Sequence, residues 1–210
     1  MSVARRALIR WASEPLGTLQ FAWRTCRGEY APAPHWLKMR ILKRYLPRRP
    51  PVVLVETGTL FGDTVEAMRP VCERVLSIEL DAELYRAACR RFAGAPNVEV
   101  IAGDCVEELP GILERLERPA AFWLDGHYSG GVTARGGMDD PILISLEQIR
   151  RHPIRSHLLF VDDARCFDGQ AGHPRLLEVL TAILAINADY RVRIHNDVMV
   201  ASAPEAVVAP

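Results

Sequence analysis

Past residue 51 the chain alternates short apolar runs with stretches of helical periodicity. "VVLVE" (52–56), "RVLSIE" (74–79), "VEVIAGD" (98–104), "AAFWLD" (120–125) and "HLLFVDD" (157–163) are mostly apolar, bounded by turn residues, and each ends in an acid. Runs this short, rich in Val, Ile, Leu and Phe, predict strands. Between them lie helical patterns: "DTVEAMRPVC" (63–72), "DAELYRAACRRF" (81–92, with Asp81 as N-cap) and a segment across 105–117 perturbed by Pro110-Gly111. Another helix opens at Asp139-Asp140-Pro141, an acidic cap before a proline, and "HPRLLEVLTAILAI" (173–186) forms the last. "YRVRIH" and "DVMVAS" predict a closing hairpin around Asn196. Ahead of the alternation, "HWLKMRILKRYL" (35–46) reads as an amphipathic helix with Trp36, Met39, Leu42 (or Lys43) and Leu46 on one stripe. Three segments follow: a basic N-terminal arm with that helix (1–50), one α/β domain (51–203) and a loose tail (204–210).

Strands alternating with helices imply right-handed crossovers and a parallel sheet. Apolar strands without clean alternation fit a sheet covered by helices on both faces, a Rossmann-like architecture. Ligands of such sheets bind at the carboxyl ends of the strands, beside the switch point. Glu56, Glu79, Asp104, Asp125 and the pair Asp162-Asp163 all fall at that edge. One acid there is ordinary; five consecutive strand ends mark a site.

Composition narrows the class. With 210 residues and 49% apolar content the chain can build one sizeable core. No apolar run approaches the ~18 residues of a membrane span, and the N-terminus does not read as a signal peptide, so a cytoplasmic protein is expected. Five cysteines without a C-x-x-C pair read as reduced thiols. Net charge is zero but unevenly placed: residues 1–50 hold eleven Lys and Arg against two acids, and the remainder 15 against 24. The basic arm can lie on its own acidic domain, form a homo-oligomer contact, or touch an anionic surface. Lys38 and Lys43 are the only lysines among 26 basic residues. No nucleic-acid partner is expected.

"ETGTLFGDT" (Glu56 to Thr64) links the first strand to the next helix. Its loop residues Thr57, Gly58, Thr59, Gly62, Asp63 and Thr64 are candidates for cofactor contact, Gly58 for a tight turn and Gly62 for close backbone approach. The pattern is neither G-x-G-x-x-G nor a P-loop. Glu56 in front of it disfavours a pyrophosphate and suits an ammonium group. Glu79, 23 residues on, stands where a carboxylate accepts ribose hydroxyls. Asp104, with Cys105 beside it, could accept from an adenine amino group.

Asp125, Asp162 and Asp163 end neighbouring strands if the order is the usual one, about 4.8 Å apart. Three clustered carboxylates need a cation or protons, and oxygen-only ligation favours Mg²⁺, with Ca²⁺ or Mn²⁺ possible, over Zn²⁺. His127, two residues past Asp125, could take a proton from a hydroxyl. "YSGGVTARGGMDD" (128–140) suits a mobile lid, on which Arg135, with Arg165, could hold an anionic acceptor.

"ETGTLFGDT", "LSIEL", "AGDC" and "FWLDG", in that order over about 150 residues, resemble class I S-adenosylmethionine-dependent methyltransferases. The resemblance implies a seven-stranded sheet of order 3-2-1-4-5-7-6 with strand seven antiparallel. It places Glu56, Gly58 and Gly62 around the methionine part of the cofactor, Glu79 at the ribose, and Asp104 and Cys105 at the adenine. The acid cluster is similar to that of macrocin-type sugar O-methyltransferases, which are metal-dependent. There a D-G-D motif and a later D-D pair supply metal ligands and base. Asp125 and Asp162-Asp163 match the ligands, whereas His127 stands where that pattern has Asp. The expectation is thus methyl transfer from S-adenosylmethionine to a sugar or natural-product hydroxyl, assisted by Mg²⁺ at Asp125, Asp162 and Asp163, with His127 as base. The rivals are a nicotinamide-dependent oxidoreductase and a non-catalytic cofactor-binding or scaffolding domain.

Overall fold

The computed structural model describes residues 18–24, 26–27, 32–47, 52–125 and 141–204. In chain order the elements are α1 (His35–Tyr45), β1 (Val53–Thr57), α2 (Asp63–Met68), β2 (Arg74–Glu79), α3 (Ala82–Phe92), β3 (Val98–Ala102) and α4 (Cys105–Leu113). Then come β4 (Ala121–Leu124), α5 (Ile142–Arg151), β5 (Leu158–Val161), α6 (Leu176–Ile186), β6 (Arg191–His195) and β7 (Val198–Ser202). The sheet order is β3-β2-β1-β4-β5-β7-β6. β1 to β5 are parallel, and β7 runs antiparallel to both β5 and β6. This is the order and the antiparallel strand that the resemblance implies. The hairpin turns at Asn196, whose left-handed backbone (φ 55°) asparagine tolerates well. Among the described residues, no helix is long and apolar enough to cross a membrane.

The central strands are buried throughout because both faces are covered. Successive residues alternate between two cores. Val53, Val55, Phe122, Leu124, Leu159 and Val161 pack with Leu109, Ile112, Leu146, Ile149, Val179 and Ile183 from α4, α5 and α6. Leu54, Trp123 and Phe160 face Leu42, Val65, Met68 and Phe92 from α1, α2 and α3. Helix α1 is therefore a structural layer of the domain. Its Met39, Ile41, Leu42 and Leu46 are buried, and the Tyr45 hydroxyl hydrogen-bonds His195 Nε2 on β6 at 2.5 Å. Trp36 departs from the expected stripe: it is 44% exposed and its indole N–H donates to Thr18 Oγ1. The stripe rotates because Ile41, not Trp36, joins Leu42 against the sheet.

Several helix bounds shift for local reasons. α2 stops at Met68 rather than Cys72, since Pro70 has no N–H to continue the helical ladder. α4 ends at Leu113 and carries Pro110 inside it. Pro110 lacks the N–H that would bond the Val106 carbonyl, and Gln148 Nε2 from α5 donates to that oxygen instead, at 2.8 Å. α6 begins at Leu176, three residues later than His173, with Glu178 accepting from the N–H of Arg175 at the N-cap. Asp81 and Asp104 cap α3 and α4 with side-chain oxygens. The caps expected at Asp139 and Asp140 lie outside the described residues.

Below the sheet, His157 is fully buried and its Nδ1 accepts from the Ala120 N–H at 3.1 Å. That leaves Nε2 to donate to His152 Nδ1, also at 3.1 Å. Burial, with His152 nearby, pushes His157 down to about 4. Its pKa is depressed, so its contribution to stability is present above about 6.5 and lost as pH falls through 4. Melting curves should show a loss on the order of 3 kcal/mol from this ring over that interval. In His157→Asn, which keeps an acceptor for Ala120, the pH slope should flatten; an unchanged slope would reject the assignment.

Candidate active site

The loop after β1 is built on two left-handed residues. Gly58 has φ 89° and Leu60 φ 51°. Glu79 Oε2 accepts from the Leu60 N–H at 2.7 Å, and Oε1 accepts from the Asp81 N–H at 2.8 Å. Glu79 thus holds the loop and the start of α3 while remaining at the end of β2; burial raises its pKa. Gly62 also has positive φ (77°), and a Cβ there would meet the Phe92 ring at 2.7 Å. Phe92 and its own backbone therefore both require glycine here.

Glu56 is 1% exposed. Its carboxyl accepts from Ser77 Oγ at 2.5 Å, with Thr64 as a second hydroxyl partner, and Ser77 in turn meets Thr59 Oγ1 at 2.6 Å. Burial pushes Glu56 up to about 8, against the lowering pull of Ser77 and Thr64. Ser77 was not singled out by the sequence, although a lone polar residue inside "RVLSIE" is a usable signal. Asp63 pairs with Arg91 at 2.9 Å, and Arg91 also donates to the Phe61 carbonyl, tying the loop to α3. A cavity of about 110 Å³ opens against this loop, lined by Gly58, Thr59, Leu60, Phe61, Asp63 and Thr64 on one side. Its other wall is Ala33, His35, Lys38, Trp123, Asp125 and Asp162. Asp104 Oδ1 accepts from the Val106 N–H at 2.8 Å, and Cys105, the first residue of α4, is pushed up to about 12 by burial and then by Asp104.

The acid cluster comes together as the strand order requires. Leu124 pairs with Val161, so Asp125 and Asp162 leave adjacent strands side by side. The Asp125 N–H donates to Thr57 Oγ1 at 3.0 Å, which makes Thr57 a clamp on Asp125. Consecutive residues of a strand point to opposite faces. Asp163 escapes that rule because its backbone is left-handed (φ 56°), and both acids of the pair join one space. Ligand oxygens of Asp125, Asp162 and Asp163 all lie within 4.8 Å of one another. Burial, with Asp125 next, raises Asp162 well above the ordinary carboxylate range despite a cation beside it.

That cation is Lys38 on α1, a residue for which the sequence assigned no role. Its Nζ lies 2.5 Å from Asp162 Oδ2 and 3.2 Å from Asp163 Oδ1. The ammonium holds its proton more tightly than usual: burial lowers its pKa, but Asp162, Asp163 and Asp125 together more than offset this. Arg165 pairs with Asp163 and with the buried Asp197 of the β6–β7 turn, so it braces the cluster rather than reaching for an acceptor. Among the described residues, four acids (Asp125, Asp162, Asp163, Asp197) thus meet two cations, two acids in excess. An all-oxygen, largely buried pocket with acids in excess fits a hard divalent ion such as Mg²⁺. A second, much smaller hollow of about 20 Å³ lies beyond the acids, lined by Pro141, Ile142, Ser145, Phe167 and His173 together with Asp125, Asp162 and Asp163. His127 and the expected lid, with Arg135, fall outside the described residues.

The sequence matches no family model and no curated protein. Solved structures do superpose on it. A putative caffeoyl-CoA O-methyltransferase from Staphylococcus aureus matches with TM-score 0.56 and 12% identity, over 96% of this chain and 100% of that one. An O-methyltransferase from Bacillus cereus, solved with SAH, matches at 0.55 and 14%, over 80% and 79%. A 23S rRNA methyltransferase, ErmE, matches at 0.52 and 18%, over 82% and 69%. In sheet order, in the antiparallel seventh strand and in superposition, the chain has the fold of the class I S-adenosylmethionine-dependent methyltransferases.

Proposed function

We propose that the protein transfers a methyl group from S-adenosylmethionine to a hydroxyl oxygen of a small molecule, such as a sugar or natural product, with a divalent ion at the acid cluster. The observation that carries this reading is that Asp125 and Asp162 line two cavities at once. The cavity against the Gly58–Thr64 loop takes the methyl donor, and the small hollow against α5 admits the acceptor's reacting hydroxyl beside the acids. Glu56 and Gly58 lie on the methionine side, Glu79 at the ribose and Asp104 with Cys105 at the adenine, each at a strand end. Thr57, Thr59, Gly62, Asp63 and Thr64 shape and hold the loop through the contacts described above.

Asp125, Asp162 and Asp163 hold the ion, which when bound lowers the pKa of an acceptor hydroxyl. His127 accepts the proton that the hydroxyl gives up, and the methyl passes to the oxygen as S-adenosylhomocysteine leaves. The protein's own contribution is to bring the two reactants to one carboxylate cluster and to seat the donor's ammonium against an acid. The nicotinamide rival is disfavoured by Glu56, whose buried acid stands where a pyrophosphate would sit. The test is S-adenosylhomocysteine release over a panel of hydroxyl acceptors, in chelator and after adding Mg²⁺. Activity should fall at least about 10²-fold in chelator and return with Mg²⁺. Full activity in chelator would remove the metal from the account.

A further inference from the structure

The acid cluster carries a cation of the chain's own, delivered from outside the sheet. Lys38 projects from α1, whose Leu42 and Met39 are locked into the core, so its reach is fixed by packing. Its side chain is 14% exposed and that of Asp162 is 1% exposed, so water competes weakly for this pair. Nζ sits on Asp162 Oδ2 at 2.5 Å and on Asp163 Oδ1 at 3.2 Å. The opposite Asp162 oxygen, Oδ1, accepts the Asp163 N–H at 2.8 Å. The oxygen nearest Lys38 is therefore also the one that the backbone leaves for an ion. A Mg²⁺ ion needs oxygens at ~2.0–2.1 Å in near-octahedral order, and an ammonium pressed on the same oxygen blocks that approach sterically and by charge.

We propose that Lys38 is a tethered occupant of the divalent-ion site: its ammonium holds Asp162 and Asp163 when no ion is bound, and an ion binds by displacing it. The proposal rests on the reading of Asp125, Asp162 and Asp163 as ion ligands. Apparent ion affinity is then reduced by the fraction of molecules in which Lys38 occupies the site. Lys38 also lines the donor cavity, so the displaced ammonium reorganises the wall of that cavity, and ion binding is coupled to donor binding.

The chain has only two lysines, which makes a direct readout available in the unaltered protein. Lysine labelled with ¹³C and ¹⁵N gives one side-chain set from Lys38 and one from the exposed Lys43. Titration with Mg²⁺ should move the Lys38 side-chain resonances toward the position of Lys43 and saturate, while Lys43 stays put. In parallel, Mn²⁺ calorimetry should give at least about tenfold tighter binding for Lys38→Met, and no tightening for Lys38→Arg, which keeps the charge. Equal Mn²⁺ affinity in wild type and Lys38→Met, with a static Lys38 signal, overturns the proposal while leaving the ion site standing. Absence of Mn²⁺ binding in both overturns the ion site and the proposal with it. Should Lys38→Met fail to fold, the lysine spectra of the wild-type chain decide alone.

Discussion

Asp125→Ala is expected to lower methyl transfer by about 10³-fold while changing S-adenosylhomocysteine affinity less than about threefold. Asp125 is the informative member of the cluster because Asp162 and Asp163 each sit directly on a cation. Removing Asp162 would strand the Lys38 ammonium in a buried place, and removing Asp163 would unbrace Arg165. Losing one partner of such a pair costs about 3–5 kcal/mol, which would confuse a catalytic loss with a folding loss. Asp125 is instead anchored by its backbone, whose N–H donates to Thr57 Oγ1 whatever the side chain. Its carboxylate raises Asp162 and also favours the Lys38 ammonium, so deleting it relieves one repulsion and removes one attraction, and the melting temperature should move little. Turnover within a few-fold of wild type would detach the acid cluster from the chemistry.

Glu56→Gln should weaken S-adenosylhomocysteine binding by about 10²-fold, the scale of one charge-assisted hydrogen bond lost in a dry site. The pH dependence is the sharper signature. With Glu56 pushed up to about 8 by burial, the unliganded protein holds this carboxyl mostly protonated at pH 7. An incoming ammonium needs the carboxylate, so wild-type affinity should rise as pH climbs from 6 to 8, by up to about tenfold per unit, with a proton released. Ser77, Thr64, Glu79 and Asp63 all act on this carboxyl and remain in the variant, so the difference isolates Glu56. The fold without ligand shows the opposite sign. A pKa raised from 4.5 gives stability that is present below 4.5 and lost as pH rises through 8. Glu56→Gln should therefore flatten that fall in melting temperature. Calorimetry in buffers of different ionisation heat checks the proton release; identical pH profiles for variant and wild type would contradict the assignment.

What could be read from the sequence was local or followed from strand order. The apolar runs ending in acids gave β1 to β5, and Asn196 gave the hairpin, because each signal lies within a few residues. The meeting of Asp125 with Asp162 and Asp163 followed from two strands being neighbours, though 37 residues apart. Contacts set by how layers dock were not legible. Lys38 reaches Asp162 across 124 positions, and the apolar stripe of "HWLKMRILKRYL" does not say which strand ends the helix crosses. The one available hint was chemical: two lysines, Lys38 and Lys43, in an arm otherwise filled with arginine. Gly62 stood out for close backbone approach to a ligand, whereas the Phe92 ring that also requires glycine there comes from another helix. Arg165 looked available for an acceptor because Asp197, its buried partner, sits on a hairpin 32 residues away.

The central claim, an S-adenosyl cofactor held at the Glu56–Thr64 loop, is tested most directly by calorimetric titration of the protein with S-adenosylhomocysteine and, separately, with NAD. The account predicts one-to-one binding of S-adenosylhomocysteine, abolished or strongly weakened in Glu56→Gln, and no heat from NAD. Binding of NAD with none of S-adenosylhomocysteine would contradict it.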